Sequence, residues 1–193
     1  SQALTAQSEV GGKDLTLSGA ARTGAPDGFS TYFLAPRIGQ LTTKYRDLEI
    51  QLVATPRLLS LSKREADITI SLNMPAEGKV VSRKLTDYDL ALFASRSYIK
   101  TAKPIRTPED LLDHPIIGYV DDLIFAPELD YLGDVAKGLR AKLQSSNLIA
   151  QMMATVAGCG VCVLPQFMAV QESTLTRVLP DTPATAVGAL AAA

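Results

Sequence analysis

Two cysteines and one histidine are the residues whose types are sharpest for chemistry. Cys159-Gly-Val-Cys162 has the spacing of a redox dithiol. That chemistry needs a thiol at a helix N-terminus, where backbone N–H groups and the dipole favour thiolate. Here the helical pattern lies before Cys159 and a strand follows it, so the dipole opposes ionisation. The pair reads as two small apolar residues in a Gly-x-Gly turn that enters a buried strand. A zinc site needs about four ligands, and the single histidine is far away in sequence, so no metal is expected. His114, in Leu112-Asp-His-Pro115, has no nucleophile motif beside it and reads as the polar close of a short helix. No G-x-S-x-G, H-E-x-x-H, P-loop or complete G-x-G-x-x-G occurs. Neither an enzyme nor a bound cofactor is expected. Asp121-Asp122 is a carboxylate pair after a strand, readable as a loop turn or a ligand contact.

Binding chemistry is better represented. The loop Asp27-Gly28-Phe29-Ser30 lies between a strand end and a helix start, with Ser30 as the expected cap. Such starts present unpaired N–H donors and a positive dipole to an anion, although Asp27 itself repels one. Thr55-Pro56 and Ser146-Asn147 offer similar geometry. Each alone is weak; three in one α/β chain reinforce one another.

The elements that must position these groups alternate. Strands are predicted over 15–23, 48–54 and 66–72, with helical patterns over 30–45, where Pro36 reads as a kink or a break, and 58–65. Residues 73–79 read as a loop. A long strand follows over 85–95. Thr107-Pro108 starts a short helix, 115–120 is a strand, and 129–139 is weakly helical. Ser146-Asn147 caps a helix to 157, with Leu148, Ile149, Met152, Met153 and Val156 at helical spacing. Gly158 is placed to end that helix. Strands over 161–164 and 175–179 close the pattern. This order predicts βαβ units and a mostly parallel sheet. Two alternating blocks suggest two lobes, and a cleft between lobes is a usual place for a small ligand.

The chain has 193 residues, 47% of them hydrophobic and 20% charged, which is ordinary globular composition. Nineteen basic residues against 20 acidic ones give a net charge of −1. A surface that grips DNA phosphates carries a basic excess, so direct nucleic-acid binding by these residues is not expected. No apolar run reaches the roughly 18–20 residues of a membrane-spanning helix, and the first residues carry no secretory signal pattern. A cytoplasmic protein without membrane contact is expected.

Several stretches together resemble the effector-binding domain of LysR-type transcriptional regulators. They are S-G-A-A-R-T-G-A-P-D-G-F (18–29), Y-F-L-A-P-R-I (32–38), Y-R-D-L-E-I-Q-L-V (45–53), K-R-E-A-D-I-T-I (63–70) and R-K-L-T-D-Y-D-L-A-L-F-A-S-R-S-Y (83–98). Others are L-L-D-H-P-I-I-G-Y (111–119), S-S-N-L (145–148) and V-A-G-C-G-V-C-V-L-P (156–165). The likeness covers roughly residues 12–183 and makes the cysteine pair and His114 incidental to it.

The resemblance implies an α/β fold of two Rossmann-like lobes, type 2 periplasmic-binding-protein-like, with an inter-lobe cleft. Residues 1–11 are expected to be the end of a linker helix, 12–85 with 179–193 the first lobe, and 86–178 the second. Crossings are expected near 85–87 and 179–183. The tail A-T-A-V-G-A-L-A-A-A is shorter and blander than the strand and helix that complete the first lobe in the family. A small polar or carboxylate effector is expected at Asp27, Gly28, Phe29, Ser30, Thr55, Pro56, Ser71 and Asn73 from one lobe. Val120, Asp121, Ser146 and Asn147 are expected from the other. DNA is expected to be met only through an N-terminal winged helix-turn-helix missing from this sequence, and a homodimer or tetramer is expected. The alternatives are a periplasmic-type solute-binding protein, which a signal peptide ahead of Ser1 would mark, and a thiol redox sensor using Cys159 and Cys162.

Overall fold

In a computed structural model of the chain, residues 5–6, 17–55, 65–72, 81–124, 126–180 and 187–192 are described. The chain divides into two compact units, 1–84 with 191–193, and 85–190.

In the first unit, β2 (Leu17–Ala25) pairs in parallel with β3 (Leu48–Ala54), from Gly19 opposite Leu48 to Ala25 opposite Ala54. It also pairs in parallel with β4 (Ile68–Ser71), Gly24 lying opposite Thr69. β1 (Thr5–Ala6) pairs antiparallel with the start of β2. Those two residues were expected at the end of a linker helix; strand pairing gives their backbone groups partners instead. β10 (Val187–Ala192) places Ala191 and Ala192 antiparallel to Ser71 and Ile70. The expected helix over 58–65 and loop over 73–79 lie outside the described residues, except for Glu65 at the helix's end, which is a bend.

Pro26 ends β2, having no N–H for the ladder, and helix follows at once. It runs as α1 (Asp27–Phe29), a π-helical segment (Ser30–Leu34) and α2 (Ala35–Lys44). The start therefore precedes the Ser30 expected. Pro36 does not break the run. It cannot donate to the residue four before it, and the wider register just ahead, with Ala35 N–H on the Ser30 carbonyl, absorbs that defect. No residue of α2 is buried, and Phe33 and Leu41 stand exposed.

In the second unit, the long β5 (Arg83–Ser95) is exposed over its first half and buried over its second. It pairs antiparallel with β8 (Val161–Pro165) and β9 (Leu175–Arg177). β6 (Ile116–Gly118) runs parallel to β8 and to β7 (Leu143–Gln144). Alternate residues Leu90, Leu92 and Ala94 of β5 join Val161 and Val163 of β8 in one core, with Leu111, Ile116, Tyr131 and Leu139. α3 (Arg96–Thr101) starts at Ser95, whose hydroxyl accepts the Tyr98 N–H at 3.2 Å. The segment after Thr107 is a 3-10 helix (Pro108–Asp113). The weakly helical stretch resolves into a 3-10 turn (Pro127–Leu129) and α4 (Leu132–Val135). α5 (Leu148–Val156), β8 and α6 (Gln166–Ala169) follow. Gly158 ends α5 at φ 85°, as the sequence predicts.

α5 buries a different face from its apolar pattern. Gln151, Met152 and Thr155 are buried, whereas Met153 is 43% exposed. Gln151 tolerates burial because its polar atoms are satisfied: Nε2 donates to the Ser145 carbonyl at 2.8 Å, and Oε1 accepts the Cys162 thiol at 3.8 Å.

Candidate functional site: strand-end groups on each unit

In the first unit, β2, β3 and β4 are parallel and in register, so their C-terminal ends share one edge. Asp27, Gly28, Phe29, Ser30, Thr55 and Ser71 all lie there. The Ala25 carbonyl anchors two of them, accepting the Ser30 hydroxyl and the Thr55 N–H, both at 3.1 Å. Ser30 is thus one turn inside the helix, with its N–H on the Pro26 carbonyl at 2.8 Å, and is 1% exposed. Asp27 in the first turn takes the Gly28 N–H on Oδ1 at 2.9 Å, a charge placement the helix dipole favours. Phe29 is buried and stacks on Phe33 at 4.8 Å, with the Arg37 guanidinium 4.1 Å from the Phe33 ring centre. Thr55 is half-buried and Ser71 buried. Pro56 and Asn73 lie outside the described residues.

In the second unit the corresponding edge follows β6 and β7, where Gly118 lies opposite Gln144. Ser145 N–H donates to the Gly118 carbonyl at 3.0 Å, which ties the chain after β7 to the end of β6. Val120 is half-buried, and Asp121 is exposed at the start of a 3-10 turn (Asp121–Leu123). Ser146 and Asn147 are exposed. The cap of α5 is Asn147, whose Oδ1 accepts the Ala150 N–H at 2.8 Å, while its own N–H donates to Ser145 Oγ at 3.1 Å. Val120, Asp121, Ser146 and Asn147 are therefore brought to one edge. Gln151, which holds this edge in shape with Ser145, is absent from the sequence reading, and Ser145 enters it only within the S-S-N-L stretch. Polar positions 151 and 155, four apart inside an apolar helix, were the one available signal for Gln151.

The singled-out motifs are accounted for locally. Cys159 is exposed and Cys162 buried, and burial pushes the Cys162 thiol up to about 12, the opposite of an activated cysteine. His114 caps the 3-10 helix, is buried, and lies with Nδ1 2.8 Å from the Tyr98 hydroxyl. Among the described residues no group of three or more His, Cys, Asp or Glu could hold a metal ion. No helix among them is long and apolar enough to cross a membrane.

The LysR substrate binding domain family model matches residues 16–192. Among curated proteins, the Mau operon transcriptional activator of Paracoccus denitrificans is 27% identical over 144 residues, covering 75% of this chain and 47% of its own length. The HTH-type transcriptional regulator YhjC of Escherichia coli is 26% identical over 175 residues, covering 86% and 58%. The chain thus spans about half the length of the curated relatives it matches, and those relatives are regulators rather than enzymes. Among solved structures, the CrgA regulatory domain of Neisseria meningitidis superposes with a TM-score of 0.79 at 18% identity, covering 91% of this chain and 88% of that one. Full-length AphB of Vibrio cholerae gives 0.73 at 22% identity, covering 91% and 61%. At these identities the structures establish the fold. The match across 16–192 makes this chain a member of the LysR substrate-binding-domain family, with the family's type 2 periplasmic-binding-protein-like α/β fold.

Proposed function

We propose that the chain is the effector-sensing part of a LysR-type transcriptional regulator acting in the cytoplasm, with the units 1–84/191–193 and 85–190 as its two regulatory lobes. The effector is a small polar or carboxylate molecule. It engages Thr55 and its neighbours on the first unit and Ser146 with its neighbours on the second. Effector binding shifts the population between lobe arrangements, and a dimer passes that shift to DNA-binding domains carried N-terminal to this sequence. The observation that carries this reading is the gathering, in each unit, of hydrogen-bonding groups from strand ends and helix starts onto one sheet edge, in a chain of this family. Ligands of open α/β sheets bind outside such carboxyl ends.

The test is a thermal-shift screen of small carboxylates and polar metabolites. A ligand that binds the native state alone, at about 100 times its Kd, adds about 2.7 kcal/mol. At least one compound is expected to raise Tm, and Thr55→Val or Ser146→Ala is expected to diminish the rise. A rise that persists unchanged in both variants contradicts the proposal, and so does a screen with no responding compound.

A further inference from the structure

The crossover between β6 and β7 in the second unit lines a cavity of about 400 Å³, within the roughly 300–1,000 Å³ range of small-ligand sites. Its apolar lining includes Leu129, Tyr131 and Leu139, all buried. Its charged lining is Asp121, Asp130 and Arg140, all exposed. None of these three side chains makes a hydrogen bond or ion pair with another described residue. An apolar wall beside solvent-exposed charges of both signs offers a ligand one apolar and two oppositely charged faces. Two carboxylates beside one guanidinium disfavour a simple anion, and a simple cation makes no use of Arg140. A zwitterion with an apolar body complements all three groups.

We propose that this cavity binds a free α-amino acid with an apolar side chain, its carboxylate on Arg140, its ammonium on Asp121 and Asp130, and its side chain against Leu129, Tyr131 and Leu139. A guanidinium holds a carboxylate with two parallel hydrogen bonds, and the carboxylates take an ammonium as acceptors. The cavity is lined by the second unit alone and uses neither Thr55 nor Ser146, but it shares Asp121 with the effector reading above. The test leaves Asp121 untouched, so that the two readings fail separately.

The test is an amide NMR titration of the whole chain with three probes: L-leucine, 4-methylpentanoate, which lacks the ammonium, and 3-methylbutylamine, which lacks the carboxylate. Saturable shifts within 129–141 are expected with leucine at about 10 mM or below, and none that saturate with the other two. Arg140→Met and Asp130→Asn are each expected to weaken leucine binding at least about tenfold, the scale of a lost charge-assisted hydrogen bond. Both positions are exposed, and an unchanged amide spectrum of each free variant verifies its fold. The proposal is overturned if leucine gives no saturable shift, if either singly charged probe binds equally well, or if neither substitution weakens binding. Leucine shifts confined to the Thr55 and Ser146 edges also overturn it, while leaving the effector reading standing.

Discussion

Cys162 is where an individual residue changes the chemistry most. Buried in β8, its thiol is raised from 9.0 to about 12 by desolvation. Below pH 9 folded and unfolded thiols both keep their proton. As pH rises from 9 towards 12 the unfolded chain loses it and the native one does not, so this group makes stability fall over that window, by at most about 1.4 kcal/mol per pH unit. Urea unfolding from pH 8 to 11 should show a shallower decline for Cys162→Ala than for the natural chain, and identical declines would refute the assignment. Thiol titration of the native protein at pH 8 should label Cys159 alone, with Cys162 reacting only after unfolding. The spacing of the two cysteines was plain in the sequence, and so was the helix polarity that argues against their activation. What no pattern could supply is the identity of the buried partner: Gln151 accepts the Cys162 thiol and is itself pinned to Ser145. Ser30 teaches the complementary lesson. Its residue type announced a helix cap, but Pro26 supplies the break, and the Ser30 hydroxyl turns inward to Ala25.

Strands and helices were legible wherever their pattern was long. β3 was read with its observed bounds because L-E-I-Q-L-V-A alternates. β7 and β10 were not read at all. The first is two residues long, and the second is built mostly from alanine, glycine and valine. Such strands exist through pairing with β6 and β4 rather than through propensity. The π-helical segment was likewise invisible, since Pro36 announces a defect without saying how the backbone absorbs it. At α5 the cap itself makes a prediction. Asn147→Ala removes the acceptor for the Ala150 N–H and should cost about 0.5–2 kcal/mol in chemical denaturation, with faster hydrogen exchange at Ala150. Asn147→Asp keeps an oxygen in place and should cost much less. Equal losses in the two variants would mean that the cap contributes nothing.

For the molecule as a whole, the family resemblance carried the reading further than any motif, because many weak stretches agreed in order along the chain. The candidate site was legible as strand-end and helix-start residues, since chain order in α/β folds puts those positions on one edge. Their burial was not legible: Ser30 and Ser71 are buried, while Ser146 is open. α2 makes a further prediction. A helix with no buried residue that exposes Leu41, continuing a π-helical turn that exposes Phe33, is a surface suited to a second copy of the chain. Light scattering at tens of micromolar should report a dimer or tetramer, and Leu41→Glu should shift the mass towards monomer without loss of secondary structure. A monomeric natural chain at that concentration would remove this part of the account.

The central claim is that one effector touches both units, and it is tested most directly by calorimetric titration of the tightest-binding compound from the thermal screen. The natural chain, Thr55→Val and Ser146→Ala are compared. Each substitution removes a hydroxyl, so each should weaken binding by about 1–3 kcal/mol, roughly five- to 150-fold, with little change in unfolding free energy. Unchanged affinity in both variants would contradict the account.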